Sequence, residues 1–380
     1  VPQTAARRKT NRPKAKPKAE RLLAWYDRHR RVLPWRALPG EKPDPYRVWL
    51  SEIMLQQTTV ATVGPYFAAF LKQWPTVQDL ARATLDEVRV AWAGLGYYRR
   101  AEALWRAAQQ VAAAGGVFPQ TEAELQCLPG IGPYTSAAIA AIAFDRRANV
   151  VDGNVERVVA RLFSLRTPLP KAKPELRALA ENLLPTARFA DYAQAMMDLG
   201  ATVCTPRRPA CATCPFSGAC RAEAEGIVET LPAREAPRAK PVRRAIAFVA
   251  VGDQGALWLR QRPAKGLLGG MIEVPSSPWT EGPMPSLASA TPHSPFPKAR
   301  WRLAEGTVRH VFSHFELEVR VAIASISTKG REGWTPLDRL SGTALPSVMR
   351  KIIRHAFAQG QGEAVKKRHP VKKRHKEPRS

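Results

Sequence analysis

The sequence predicts an α+β chain of two domains, an almost wholly helical one over residues 20–225 and a smaller mixed α/β one over residues 245–358. Three observations predict it. At 380 residues the chain exceeds what one ordinary core organises. Helix-start signals and helical apolar spacing dominate up to about residue 225, with strand signals nearly absent. After the proline- and charge-rich stretch Thr230 to Arg244, the pattern changes to short apolar runs separated by turn residues, so residues 226–244 are read as an interdomain linker.

The elements follow in order. Asp44-Pro45 is a cap followed by a first-turn proline, and a mostly apolar helix is expected from Tyr46 to Gln57. Thr121-Glu122-Ala123-Glu124 opens another helix as a capping box, and Pro133 to Phe144 is an Ala/Ile-rich helix after a glycine-rich turn. Asp152 is placed to cap a helix from Asn154 to Phe163. Beyond the linker, Ala245 to Val251 and Ala256 to Arg260 read as strands around a turn at Asp253-Gln254-Gly255. Thr307 to Phe312 and Phe315 to Ile323 form a second expected hairpin, and Leu345 to Ala358 a closing helix. Ser276 to Pro297, rich in Pro and Ser, is expected to be a long loop. No internal repeat is visible.

Charge narrows the partners. Of the formal +27, segments 1–19 and 359–380 carry +7 and +6, so residues 20–358 still carry +14. A body this basic attracts a polyanion, and no segment is apolar enough over sufficient length to span a bilayer, which favours nucleic acid over membrane. The two tails are rich in Lys, Arg and Pro and are expected to be disordered. The first residues lack the apolar core of a signal peptide, so a reducing, cytoplasmic setting is expected. A monomer is expected as well.

Four of the five cysteines, Cys204, Cys211, Cys214 and Cys220, fall within 17 residues, separated by six, two and five. In a reducing compartment such density indicates a metal site rather than disulfides, and four sulfurs satisfy either tetrahedral zinc or an iron–sulfur cluster. Cys127, alone in a helical pattern, is expected to be a small buried hydrophobe.

Leu128-Pro129-Gly130-Ile131-Gly132-Pro133 joins two helices. Its glycines allow a tight turn whose backbone N–H groups, at a helix N-terminus, suit a phosphate. Some twenty residues on lies Val151-Asp152-Gly153-Asn154. The combination resembles the helix-hairpin-helix DNA glycosylase superfamily. Within it Ser51-Glu52-Ile53-Met54-Leu55-Gln56-Gln57-Thr58, Leu33-Pro34-Trp35-Arg36, Ala93-Gly94-Leu95-Gly96-Tyr97-Tyr98 and Met197-Asp198-Leu199-Gly200-Ala201 are similar to the MutY-type adenine glycosylase branch. The resemblance runs through residues 20–225 and resumes in the C-terminal part.

Glu52 lies among Trp49, Leu50, Ile53 and Met54, so desolvation should keep a proton on it near neutral pH. The resemblance implies that Glu52 protonates a ring nitrogen of a flipped adenine and that Asp152 stabilises the oxocarbenium-like sugar. Asn154 then orients a carboxylate, and Tyr134 lies near the sugar. Superfamily members that cut the backbone through a Schiff base carry Lys where this chain has Tyr134, so base removal without efficient strand cleavage is implied. Gln57 and Tyr97 match residues that wedge into the duplex; Gly130 and Gly132, with Arg36, complete the expected DNA-binding set. The cysteine spacing is that of the loop in the endonuclease III and MutY branch, which implies one 4Fe–4S cluster on Cys204, Cys211, Cys214 and Cys220. Arg207 and Arg208 lie inside this loop, where they could meet a phosphate.

Gln261-Arg262-Pro263 and Gly266-Leu267-Leu268-Gly269-Gly270-Met271 resemble the MutT-like, Nudix-fold domain of the same branch, with Ile272 departing from its usual Trp. No acidic cluster between Ser276 and Gly306 could hold a divalent ion for pyrophosphate hydrolysis. A binding module is therefore expected, with Phe312-Ser313-His314 matching a loop that contacts 8-oxoguanine. The partner implied is duplex DNA bearing adenine opposite 8-oxoguanine or guanine, in a bacterial cytoplasm. Two other readings stay open: a bifunctional endonuclease III-like pyrimidine-lesion glycosylase, which Tyr134 opposes, and a non-catalytic iron–sulfur DNA-binding protein, which would not need Glu52 and Asp152 together.

Overall fold

The computed structural model describes residues 17–236, 239–329 and 332–368; most of the expected N-terminal tail and the end of the C-terminal one lie outside the described residues. Fourteen helices are described: α1 (Ala19–His29), α2 (Pro45–Leu55), α3 (Val60–Gln73), α4 (Val77–Arg82), α5 (Leu85–Trp92), α6 (Arg99–Ala113), α7 (Glu122–Gln126), α8 (Pro133–Phe144), α9 (Gly153–Leu162), α10 (Lys173–Glu181), α11 (Phe189–Thr202), α12 (Arg221–Glu225), α13 (Leu287–Ala290) and α14 (Ser347–Arg368). The chain divides into two units. The first joins 17–83 with 103–236, and the second joins 84–102, including α5, with 239–368.

In the first unit α8 is apolar all round, with every residue from Thr135 to Ile142 buried, and it packs against α2, α7 and α11. Capping decides where these helices begin. Asp44 accepts from the Tyr46 N–H ahead of α2, Thr121 and Glu124 close the expected box at α7, and Asp152 accepts from the Val155 N–H at α9. Helix α2 stops at Leu55 rather than Gln57, because Gln57 takes a left-handed backbone at φ 57°. Residues from α1, α9, α10 and α11 form one core, including Leu22, Tyr26, Val159, Leu176, Met196 and Leu199. Cys127 does not join a core: α7 is a single short turn of helix, and Cys127 at its C-terminal end is exposed. The expectation of a buried Cys127 is thereby corrected.

The second unit is built on β1 (Val242–Val251), β2 (Leu257–Trp258), β3 (Arg260–Gln261), β4 (Ile272–Glu273), β5 (Thr280–Glu281), β6 (Arg302–Leu303), β7 (Val308–Val311), β8 (Glu316–Ser325) and β9 (Trp334–Thr335). Strands β1 and β8 pair in parallel from Val242↔Glu316 to Val251↔Ser325, and β2 and β9 extend the sheet beyond β1. Ala245 to Ala250 are all buried, as a continuous apolar run in a parallel pair requires. Strands β7 and β8 form the expected hairpin, and α14 covers one face through Val348, Met349 and Ile352.

Two expectations change here. The strand expected over Ala256 to Arg260 splits, because the Leu259 N–H turns to the Gly333 carbonyl and β3 then pairs with β4 in a separate ribbon. The expected loop from Ser276 to Pro297 contains β5 on β1 and the short α13, started by Ser286 accepting from the Ser289 N–H. Ala290 at the end of α13 packs with Ile246 and Phe248, and that burial outweighs the turn-forming composition.

Candidate active site

Glu52 sits in α2 with all its neighbours from Tyr46 to Met54 buried except Arg47, and is itself 6% exposed. Burial pushes its carboxyl up to about 7, with the Tyr134 hydrogen bond opposing, the Asp152 charge adding and Arg36 opposing. The Tyr134 hydroxyl donates to Glu52 Oε2 at 3.1 Å, and burial raises that phenol well above its ordinary value. Glu52 also lines a small open cavity with Arg36, Trp35, Ser51, Gln194 and Met197. A titratable acid near neutrality on a concave, partly apolar wall is what general acid catalysis requires.

Asp152 caps α9 and is held as an acceptor from both sides: the Val155 N–H donates at 2.7 Å and the Asn154 amide at 2.9 Å. Burial raises its carboxyl, and these bonds oppose the rise by favouring the anion. Asn154 is in turn fixed by Arg157, whose guanidinium donates to Asn154 Oδ1 at 2.8 Å, to the Gly200 carbonyl at 2.6 Å and to the Cys204 carbonyl at 2.7 Å. Gly200 permits this approach. A Cβ there would stand 2.6 Å from Asn154 Cβ, which no side chain tolerates.

Arg36 reaches the cavity from a fixed base. Its two terminal nitrogens bind the two oxygens of Asp198 at 2.7 and 2.8 Å, and Arg31 adds Nε and backbone N–H bonds at 2.5 and 3.0 Å. Asp198 is 0% exposed. Burial acts to raise its carboxyl, but the paired arginines outweigh it and hold it below the ordinary value.

The hairpin turn lies at the start of α8. Gly130 has φ 80°, and a Cβ there would meet Ala103 Cβ at 2.8 Å, so glycine is required twice over. Gln56 closes the turn by donating to Thr135 Oγ1 at 3.0 Å. The next residue, Gln57, is exposed in its left-handed conformation. In the second unit Tyr97 repeats this habit, with φ 50°, 44% exposure and the Arg100 guanidinium over its ring at 5.4 Å. Non-glycine residues held at positive φ are strained, and such strain concentrates at functional positions.

Cys204, Cys211, Cys214 and Cys220 line one small cavity together with Val158, Arg161, Leu199 and Phe216. Among the described residues no three of His, Cys, Asp and Glu converge on a single ion position. Arg161, 2% exposed, donates to Cys204 Sγ at 3.3 Å and to the carbonyls of Thr205, Pro206 and Leu231. Burial pushes the thiols of Cys214 and Cys220 up to about 12 and about 11.

In the second unit the turn between β7 and β8 is Phe312-Ser313-His314-Phe315, closed by the Phe312 N–H donating to the Phe315 carbonyl at 2.9 Å. Ser313 and His314 are exposed at its tip, and Ser313 Oγ lies 2.7 Å from Tyr97 Oη. Glu273, 2% exposed, is paired with Arg260 and Arg262.

Comparison with known proteins identifies the family of both parts of the chain. Residues 50–186 match the HhH-GPD superfamily base excision DNA repair proteins, and residues 246–355 match the NUDIX domain. The adenine DNA glycosylase of Homo sapiens is 35% identical over 410 residues, covering 90% of this chain and 74% of its own. The chain belongs to the adenine DNA glycosylase family. The Mus musculus member is 37% identical over 403 residues, covering 90% of this chain and 78% of its own. A thermostable thymine-DNA glycosylase of known structure covers 55% of this chain and 95% of its own at 30% identity, with a TM-score of 0.49.

The protein is thus a DNA glycosylase, a base-excision repair enzyme that hydrolyses N-glycosyl bonds, with DNA as its partner. Of the site residues expected from sequence, the first unit brings Glu52 to Tyr134 and Asp152 to Asn154, and the second unit brings Tyr97 to Ser313. Sequence reasoning missed Asp198 as the anchor of Arg36, Arg157 as the clamp on Asn154, and Gln194 on the cavity wall. Asp198 lay inside a matched motif, but nothing local pointed from it to Arg36.

Proposed function

We propose that this glycosylase removes adenine paired with 8-oxoguanine or guanine by hydrolysis and without strand cleavage of its own. The observation that carries the reading is Glu52, a buried acid titrating at about 7 on the wall of a cavity and hydrogen-bonded to Tyr134. In the proposed step Glu52 gives its proton to a ring nitrogen of the flipped adenine. The C1′–N9 bond then breaks with its electron pair leaving on the base. Asp152, as an anion held by Val155 and Asn154, balances the positive charge developing on the sugar. Water adds to C1′ and releases one proton. Tyr134 offers no amine for a Schiff base, which is why the strand stays intact.

Gly130 and Gly132 present backbone N–H groups to a phosphate, and Gln57 and Tyr97 fill the space left by the extruded base. Ser313, flanked by Phe312 and His314, reads the opposite base, since a hydroxyl both donates and accepts and so answers the N7 proton and C8 carbonyl that distinguish 8-oxoguanine. Incubating duplexes with adenine opposite 8-oxoguanine or guanine should give cleavage of the adenine strand only after alkali, and the duplex with adenine opposite thymine should stay intact. Cleavage without alkali would establish the bifunctional alternative.

A 4Fe–4S cluster fits the cysteine loop in its donor chemistry, because Cys204, Cys211, Cys214 and Cys220 all line one cavity beside the apolar Val158, Leu199 and Phe216. Cys204, Cys211, Cys214 and Cys220 would hold it, and when bound it supplies a rigid cross-link of residues 204–220 for docking on DNA. The raised thiols mean that loading displaces protons. Protein prepared without oxygen is expected to be brown and to contain iron, whereas stoichiometric zinc without iron refutes the assignment. Cys127→Ser should leave the metal content unchanged, since Cys127 is exposed and its thiol donates to the Ala123 carbonyl one turn back in the chain.

A further inference from the structure

The exposed tip Ser313-His314 stands on a stack of rings and cations that no local sequence pattern announces. Phe312 and Phe315, the two ends of the turn, are stacked with centroids 4.7 Å apart and planes 22° from parallel. Arg243, on β1, places its guanidinium 4.4 Å from the centroid of Phe315. Trp279, just before β5, faces both rings at 5.8 Å from Phe312 and 6.4 Å from Phe315. Trp279 is itself fixed. Its Nε1 donates to Ser276 Oγ at 2.9 Å, and Arg262, paired with the buried Glu273, lies 5.5 Å from its ring centre. Lys240 donates to the Phe312 carbonyl at 2.9 Å, so the backbone of the turn is tied as well as its rings.

We propose that Arg243 and Trp279 are positioning residues for opposite-base discrimination: they hold Phe312 and Phe315 and thereby fix the orientation of the Ser313 hydroxyl. This rests on the reading that Ser313 recognises the base opposite adenine. Ser313 Oγ already meets Tyr97 Oη at 2.7 Å, but that single contact leaves the two-residue turn beneath it free to pivot, and a hydrogen bond that separates 8-oxoguanine from guanine needs one orientation. Preorganisation supplies the difference, because a contact already in place loses no freedom when it forms. The rings are consumed by the stack, so Phe312 acts as a support for the tip. The cation–π contact persists when the cation is exchanged for another and vanishes when it is removed, and the rings then lose the cation that clamps Phe315.

The test measures competition between two duplexes in one tube, adenine opposite 8-oxoguanine and adenine opposite guanine, with the full chain. Arg243→Ala and Trp279→Ala are each expected to lower the preference by roughly two- to tenfold, the range of a cation–π or aromatic contact. The single-turnover rate on the guanine duplex at saturating protein should not change. Arg243→Lys should restore the preference, and Glu281→Gln, which removes only the 3.8 Å ion pair to Arg243, should keep it. Arg243 is surface-lying and its loss leaves the core intact, so it carries the test where Trp279→Ala fails to fold. Ser313→Ala is run in parallel. A lowered preference in Ser313→Ala with full preference in Arg243→Ala overturns the positioning role while the reading of Ser313 stands. Full preference in Ser313→Ala overturns the reading itself and the proposal with it.

Discussion

Glu52→Gln is expected to lower single-turnover excision by roughly 10²–10⁴-fold, the usual contribution of a general acid, while leaving duplex affinity nearly intact. The amide keeps the shape of the carboxyl and cannot supply the proton. In the unaltered protein the rate should fall as pH rises through about 7, where Glu52 loses its proton. Stability should respond in the opposite sense to the substitution. The folded-state acid titrates at about 7 instead of its ordinary 4.5, so below 4.5 both states hold the proton and nothing is lost. As pH rises through this window the unfolded chain ionises first. The folded state loses about 3 kcal/mol by pH 8, at 1.36 kcal/mol per unit. Glu52→Gln escapes that loss, so denaturant melts should show the variant gaining stability over the parent at pH 8 and not at pH 4. Equal loss of binding and rate, or no pH-dependent gain, would remove Glu52 from its role as buried acid.

Asp198→Asn is expected to be the most damaging change to the framework of the site. It leaves Arg31 and Arg36 facing a neutral amide where a fully buried carboxylate had stood. Breaking a buried pair on one side costs about 3–5 kcal/mol, because a charge remains without its counter-ion. The chemistry should shift too. Arg36 already acts to lower the Glu52 carboxyl, and without Asp198 its field is less neutralised. The alkaline limb of the pH–rate profile should therefore move to lower pH in the variant that still folds at reduced temperature. An unmoved limb together with an unchanged denaturation midpoint would show that Arg36 is held by other means.

The parts of the enzyme that were legible in sequence share a physical property: their signal is local. Glu52 could be read as a buried acid because its own helix is apolar around it, Asp152 as a cap because a helix follows it directly, and the cysteines as neighbours because their spacing is compressed into 17 residues. The supports were not legible because they join distant segments. Asp198 reaches back 167 residues to Arg31, Arg157 forward 43 to Gly200, and Trp279 meets Phe312 through folding alone. Cys127 was misread for the complementary reason: a helical pattern was present, but the helix it belongs to is too short to have a buried side there.

The missing side chain at Gly200 has a mechanical meaning. With no Cβ between them, α11 rests directly on Asn154, and the Arg157 guanidinium spans the remaining gap to the Gly200 carbonyl. The distance between α9 and α11 therefore works as a gauge that sets the angle of the Asp152 carboxylate through Asn154. Met196 and Leu199 on α11, and Val155 and Val159 on α9, belong to the same core that sets this gauge. On the proposed mechanism their packing is read out in chemistry as well as in stability, because a misplacement of about 1 Å at a reacting group can cost on the order of 10²-fold in rate. In that mechanism, residues inside the core of the fold thus calibrate the aim of the carboxylate that steadies the sugar.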